Sequence, residues 1–170
     1  MSRMKTNKLI GFLLCSVLTA STYSYAASDS SLKHSEQTFV EKAAKSGMEE
    51  VAISQIAVAR ATNPQVKEFA QMMVTDHGGA NSELSTLASN KGVTLPMDKT
   101  NTEKWSARDA KDFDHEYMEK VVSDHKDAVS LFEKEAKNGT DSELRAFAVK
   151  TLPTLQAQLD KAKALKDAVK

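Results

Sequence analysis

Lys91-Gly92-Val93-Thr94-Leu95-Pro96-Met97-Asp98-Lys99-Thr100-Asn101-Thr102-Glu103-Lys104-Trp105-Ser106-Ala107-Arg108 is the stretch on which the fold turns. Gly92, Pro96 and several polar residues interrupt any apolar stripe, so it reads as a connection between two helices. Each flanking helix is on the order of 40 Å long, and about 17 extended residues reach ~55 Å. The segment is long enough to cross from one end of a helical bundle to the other. A plain up-down-up-down arrangement needs only a few residues there. Trp105, inside this stretch, is placed to act as a lid over a bundle end.

Four helical patterns lie on either side of it. The first runs from about Ser35 to Ala61 with Phe39, Val40, Ala43, Val51, Ile56 and Val58 as its apolar stripe; Ser46-Gly47-Met48-Glu49 has the form of a fresh capping box, which predicts a kink or restart. Asn63-Pro64 starts the second, a cap followed by the proline that a first turn accepts. It runs to about Asn90, with Gly92 as its stop. Val66, Phe69, Met73, His77, Ala80, Leu84 and Leu87 recur three and four apart along it, as bundle packing requires. The third spans about Asp109 to Lys137, with Met118, Val121, His125, Ala128 and Phe132 on one seam and Asn138-Gly139 at its end. Thr140 or Asp141 caps the fourth, whose inward set is Leu144, Phe147, Leu152, Leu155, Leu159, Ala162 and Leu165, with a kink expected at Pro153. The expected fold is all-α, a ferritin-like four-helix bundle over residues 35–170 with a long connection between helices 2 and 3.

The first residues speak of compartment. Arg3, Lys5 and Lys8 precede the apolar run Leu9–Ala20 and the small-residue exit Ser24-Tyr25-Ala26, which predicts a signal peptide over residues 1–26. That run is shorter than the roughly 20 apolar residues of a membrane span, and no later segment approaches that length, so the chain is not expected to span a membrane. Leu14 before Cys15, the single cysteine, is too large for a lipoprotein signal. Cleavage removes three positive charges from a chain with 23 of each sign, leaving a net charge of −3 with His uncharged. Lys and Glu alternate along helix faces as on a solvated surface, and nothing points to nucleic acid. Residues 27–34, rich in Ser, read as a flexible leader.

The chain also carries Phe39-Val40, Ala43-Ala44, Gly47-Met48-Glu49-Glu50-Val51, Asn63-Pro64, Val66-Lys67, Phe69-Ala70, Met73-Val74 and Asp76-His77. Further on stand Gly92-Val93-Thr94-Leu95-Pro96, Phe113-Asp114, Tyr117-Met118, His125, Leu131-Phe132 and Thr151-Leu152-Pro153-Thr154-Leu155. In these residues, in order along nearly the whole mature chain, it resembles the exported, ferritin-like bacterial domain-of-unknown-function family 4142. The resemblance implies a ferritin-like bundle in the bacterial envelope, periplasmic or associated with the outer membrane, and supplies no activity. The family pattern has a His shortly after the Leu-Pro-x-Leu segment of helix four. Gln158 stands there in this chain, which weakens any metal binding carried over from relatives.

Chemistry centres on a near-repeat. Met73-Val74-Thr75-Asp76-His77 and Val121-Val122-Ser123-Asp124-His125 each follow an aromatic residue, Phe69 or Tyr117, at the same offset. Both histidines fall at helix midpoints on inward faces. Glu50 and Gln158 fall within about a turn of the same layer at 1.5 Å per residue. Two readings stand side by side. In one, the imidazoles hydrogen-bond to Glu50, Gln158 or a buried water and fix helix register. In the other, His77, His125 and Glu50 hold one divalent transition metal, Zn²⁺, Cu²⁺ or Fe²⁺, with Asp76, Asp124 and Gln158 as supporting partners. Met48, Met72, Met73, Met97 and Met118 would suit Cu(I), but methionine in helices also serves as core filler. Ferritin-like di-iron enzymes need Glu-x-x-His pairs, and none occurs; Asp112-x-x-His115 is unpaired. There is no Gly-x-Ser-x-Gly elbow, and no cysteine remains after cleavage. His34 and His115 are expected at the surface. The leading expectation is a non-catalytic exported bundle without cofactor, with an envelope stress or interaction role and an envelope protein as partner. The alternatives are a mononuclear metal-binding or redox bundle, and a helical partner-binding module with an uncovered apolar groove.

Overall fold

A computed structural model describes residues 32–95 and 102–169. The expected signal peptide, residues 27–31 of the expected leader, and 96–101 of the connection, Met97 included, lie outside the described residues. Among those described there are five helices and no strand: α1 His34–Arg60, α2 Pro64–Asn90, α3 Glu103–Ser106, α4 Ala110–Asn138 and α5 Ser142–Ala168. α1 packs along α2 and α4 along α5, while α4 also faces α1 and α2 faces α5. Glu36 lies beside Thr140, and Arg60 beside Trp105, so α1 and α4 run antiparallel. Glu83 pairs with Lys150 and Asp76 with Gln158, which makes α2 and α5 antiparallel too. α2 and α4 therefore sit diagonally and run in the same direction.

The α2 boundaries follow from local chemistry. Asn63 Oδ1 accepts the amides of Gln65 and Val66, and Pro64 occupies the first turn. At the other end Val93 N donates to Ala88 O at 2.9 Å and Gly92 N to Ser89 O at 3.1 Å, the paired closure of a left-handed helix stop. Gly92 has φ 69°, where a Cβ is penalised. Gly92→Ala is expected to cost about 1 kcal/mol, read as a lower urea midpoint with unchanged slope.

Three expectations need correction. α1 does not restart at Ser46-Gly47-Met48-Glu49; it is continuous, because Phe39, Val40, Ala43, Ala44, Gly47, Glu50, Ile53, Ser54 and Ala57 form one uninterrupted buried stripe that overrides the local cap signal. Ile53 and Ala57 take the places expected of Val51, Ile56 and Val58, which are only half-buried. The leader ends earlier than residue 34: Leu32 is buried with Phe39 and Phe132, Lys33 caps α1 and His34 begins it. The connection contains a helical turn, α3, held from outside by the Arg60 guanidinium, which donates to the carbonyls of Trp105 and Ser106 at 2.7 Å. Trp105 is buried edge-on against Phe113 and Tyr117, with the Arg108 guanidinium over its face. It closes that end of the core. α5 passes through Pro153 as one helix.

Two buried carboxylates tie the hairpins α1–α2 and α4–α5 together. Asp114 on α4 accepts Thr62 N at 3.1 Å, Thr62 Oγ1 at 2.7 Å and Asn63 N at 2.7 Å, capping the turn before α2. Glu36 on α1 accepts Thr140 N and Oγ1 at 2.7 Å and Asp141 N at 2.6 Å, capping the turn before α5. Burial works to raise the Glu36 carboxyl, but these donors outweigh it and hold its pKa below the usual value. Among the described residues Val149 is the one exposed large hydrophobic, so the helix faces leave no broad apolar patch. No described helix is long and apolar enough to cross a membrane.

Candidate functional site

The near-repeat has a structural meaning. Phe69 and Tyr117 lie two turns from their histidines and are fully buried, and the two imidazoles meet across the diagonal with ring centroids 5.4 Å apart at 76°. His125 is 1% exposed. Its Nδ1 donates to Val121 O at 3.0 Å, one turn back on α4, and its Nε2 lies 3.3 Å from Gln158 Oε1. Gln158 Nε2 in turn donates to Asp76 Oδ2 at 3.0 Å. A polar relay thus runs from α4 through α5 to α2. Gln158 is its hub.

His77 is placed differently. It is 9% exposed, and its Nε2 is buried without a hydrogen-bond partner of good geometry. Burial, and then the nearby His125 charge, push its pKa down to about 4, so the ring is neutral at neutral pH. Burial likewise lowers His125.

Glu50, 1% exposed on α1, has its Oε1 3.8 Å from His125 Nδ1, beyond hydrogen-bond reach, and neither carboxyl oxygen makes a hydrogen bond of good geometry. Burial first, and the charge of Asp124 second, raise its pKa well above the ordinary carboxylate value. Asp124 itself is turned to Lys120 at 2.6 Å, and Lys120 also reaches Glu49 at 2.9 Å. A buried carboxyl set beside another carboxylate, that of Asp124 on α4, opposes folding. Glu50→Leu is therefore expected to stabilise the protein by about 1–3 kcal/mol at neutral pH. Since a raised folded pKa favours folding at low pH and loses that advantage as pH rises through it, the gain should widen on the alkaline side; urea unfolding at several pH values reads both effects.

The structure thus brings His77, His125, Glu50, Gln158 and Asp76 into one layer, with Asp124 at its edge. As placed, His77 Nε2 is buried and makes no hydrogen bond of good geometry, with the Gln158 side chain beside the ring. Among the described residues no three His, Cys, Asp or Glu side chains converge closely enough to hold a metal ion. His34 is exposed, and His115 is half-buried beside Glu119. The sequence reading missed the Ser54–Tyr117 hydroxyl pair at 2.8 Å beside this layer, although Tyr117 at the offset of Phe69 was a signal for it. It also missed a cavity of about 50 Å³ bounded by all four long helices, on which His77, Asp76 and Gln158 border.

The chain belongs to the family described as "Domain of unknown function (DUF4142)", whose model matches residues 21–165. No curated protein matches it. Its fold is similar to that of a DUF305 fragment from Deinococcus radiodurans, with a TM-score of 0.70, 11% sequence identity and coverage of 81% of this chain and 98% of that one. It is similar also to CopM in the Cu(II)-bound form, with a TM-score of 0.65, 18% identity and coverage of 78% of this chain and 96% of that one. At these identities the likeness is one of fold.

Proposed function

We propose that this protein is a non-catalytic, exported helical bundle of ferritin-like connectivity, acting in the cell envelope through stress protection or interaction, with its buried histidines fixing helix register. The observation that carries this reading is the relay Val121–His125–Gln158–Asp76, which seats the central imidazole on its own helix and links α4 through α5 to α2. Ferritin-like connectivity is supported by where the connection begins and resumes. Lys91 pairs with Asp141 and Glu143 at one end, and Trp105 meets Arg60 at the other. Export, signal cleavage before Ala27 and a periplasmic or outer-membrane-associated location rest on the N-terminal sequence and on the family resemblance.

A second reading has its own support: the buried Nε2 of His77, which makes no hydrogen bond of good geometry, together with fold similarity to a protein seen in a Cu(II)-bound form. A metal at His77 would recruit His125 only after that ring gave up Gln158, and Glu50 only after a shift toward both. The arrangement as it stands does not fit a three-ligand centre. The deciding experiment is the metal content of untagged mature protein beside the His77→Ala/His125→Ala variant. The expected result is no stoichiometric Zn, Cu or Fe in either, with the variant less stable. One equivalent of metal, lost in the variant, would overturn the first reading in favour of the second.

A further inference from the structure

The two arms of the near-repeat part company directly after the histidine. On α4 the run is Asp124-His125-Lys126-Asp127-Ala128, and on α2 it is Asp76-His77-Gly78-Gly79-Ala80. Two adjacent glycines thus stand in the middle of a 27-residue helix. Glycine inside a helix lowers its stability, because its backbone loses the most freedom on ordering, and it is ordinarily there to admit a close neighbour or to reach positive φ. Gly47 shows the first use, lying under the Asn81 side chain, and Gly92 the second. Neither applies to Gly78 or Gly79. A Cβ on either would meet nothing within 4 Å, and φ is positive at neither, so alanine would fit both places.

The surroundings of the pair weaken this part of α2 further. Ser82 Oγ bonds back to Gly78 O at 3.0 Å and Thr75 Oγ1 to Gln71 O at 3.1 Å, side-chain contacts that compete with the ladder of the helix itself. On the inward side Asp76, His77, Ala80, Asn81 and Leu84 border the cavity, which is partly open to solvent, so dispersion contacts are incomplete there. His77 Nε2 makes no hydrogen bond of good geometry, whereas the His125 ring donates to Val121 O and meets Gln158. Weak helix, incomplete backing and a loosely tied ring coincide over two turns. We propose that Gly78-Gly79 is an opening point built into α2: residues 77–84 part from the helix as a unit while α4 stays closed, and each opening brings the His77 ring to solvent. This goes beyond a register-fixing role, because it makes one of the two buried histidines reachable from outside.

The test is amide hydrogen exchange of the mature protein read by NMR, with acylation of the histidines by diethyl pyrocarbonate as a second readout, on wild type and Gly78→Ala/Gly79→Ala. In wild type the amides of residues 79–84 are expected to be about tenfold less protected than those of their counterparts 127–132 on α4, and the double variant to regain that factor on α2 alone. His77 acylation should slow by the same factor, with the exposed His34 unchanged as internal control. Equal protection of the two segments in wild type overturns the proposal. So does a gain in the variant that is the same on α2 and α4, since that is added global stability. A local gain without slower acylation of His77 overturns the release of the ring. If the double variant does not fold, Gly79→Ala carries the same comparison with an effect of about threefold.

Discussion

Asp114→Ala should lower the stability of this protein by about 3 kcal/mol, one of the two largest effects expected of any single change described above. The carboxylate takes hydrogen bonds from three donors of Thr62 and Asn63, two of them backbone amides at the turn before α2, the Thr62 amide being shared between both carboxylate oxygens. Hydrogen bonds to a charged acceptor contribute about 1.5–3 kcal/mol each, and donors left unpaired in a half-buried turn add a desolvation penalty. Partial access of water to that turn keeps the total toward the lower end of what three such donors suggest. Glu36→Ala should behave alike at the opposite end, where Thr140 and Asp141 lose their acceptor. The two sites share no partner, so the double variant should lose nearly the sum. Asp114→Asn retains shape and one acceptor oxygen and should recover part of the loss. Urea unfolding of the four proteins measures all of this. A change below about 0.5 kcal/mol for either alanine variant would mean that the turns are held by their own local geometry instead.

The second large effect is a dependence on pH that traces to His77. Its folded pKa, about 4, lies below the 6.5 of a free imidazole, so the unfolded chain takes up a proton that the folded one refuses. Stability from this group is complete above pH 6.5 and is lost as pH falls toward 4. The expected loss is about 3 kcal/mol, at 1.36 kcal/mol per unit of difference. Burial lowers His125 as well, which adds to the loss in the same window. Glu50 acts in the opposite sense, since its raised pKa favours the folded state on the acid side. Replacing His77 with Gln, which does not titrate, should remove the rise in stability between pH 4 and 6.5 that this group supplies, while leaving in place the opposite loss with rising pH that comes from Glu50. Thermal unfolding across pH 4 to 8 separates the two, and an unchanged acid limb in His77→Gln would assign the loss to other groups.

The sequence spoke most plainly where one residue has one physical use. Asn63, Pro64, Gly92 and Asp141 each do at a helix end what their chemistry predicts, and α2, α4 and α5 lie within a residue or two of their expected limits. Helix rise alone was enough to put His77, His125, Glu50 and Gln158 at one height. Ring direction was not readable, because it depends on which polar group each imidazole meets: Val121 O and the Gln158 amide for His125, and no group in good hydrogen-bond geometry for His77 Nε2. The restart at Gly47 was a local signal overruled by packing, since Asn81 occupies the space above the glycine and a Cβ there would overlap its side-chain oxygen. α3 went unseen because a single turn has no period of its own; Arg60, far away in sequence, stabilises it. Ile53 and Ala57 took the core places expected of Val51, Ile56 and Val58 because the continuous helix carries those three toward its flank.

The crossed carboxylates also say something about how the chain is divided. Asp114 belongs to the second hairpin and completes the first, and Glu36 belongs to the first and completes the second. Neither half carries the acceptor its own turn needs, so each is chemically unfinished alone and each is the other's missing part. Two peptides cut between residues 96 and 101 should remain largely unfolded apart and assemble one to one when mixed, with mixed pairs preferred over like pairs because a like pair leaves both turns without their acceptor. The chain would then be one protein written as two complementary halves, joined by covalent linkage for proximity rather than for structure.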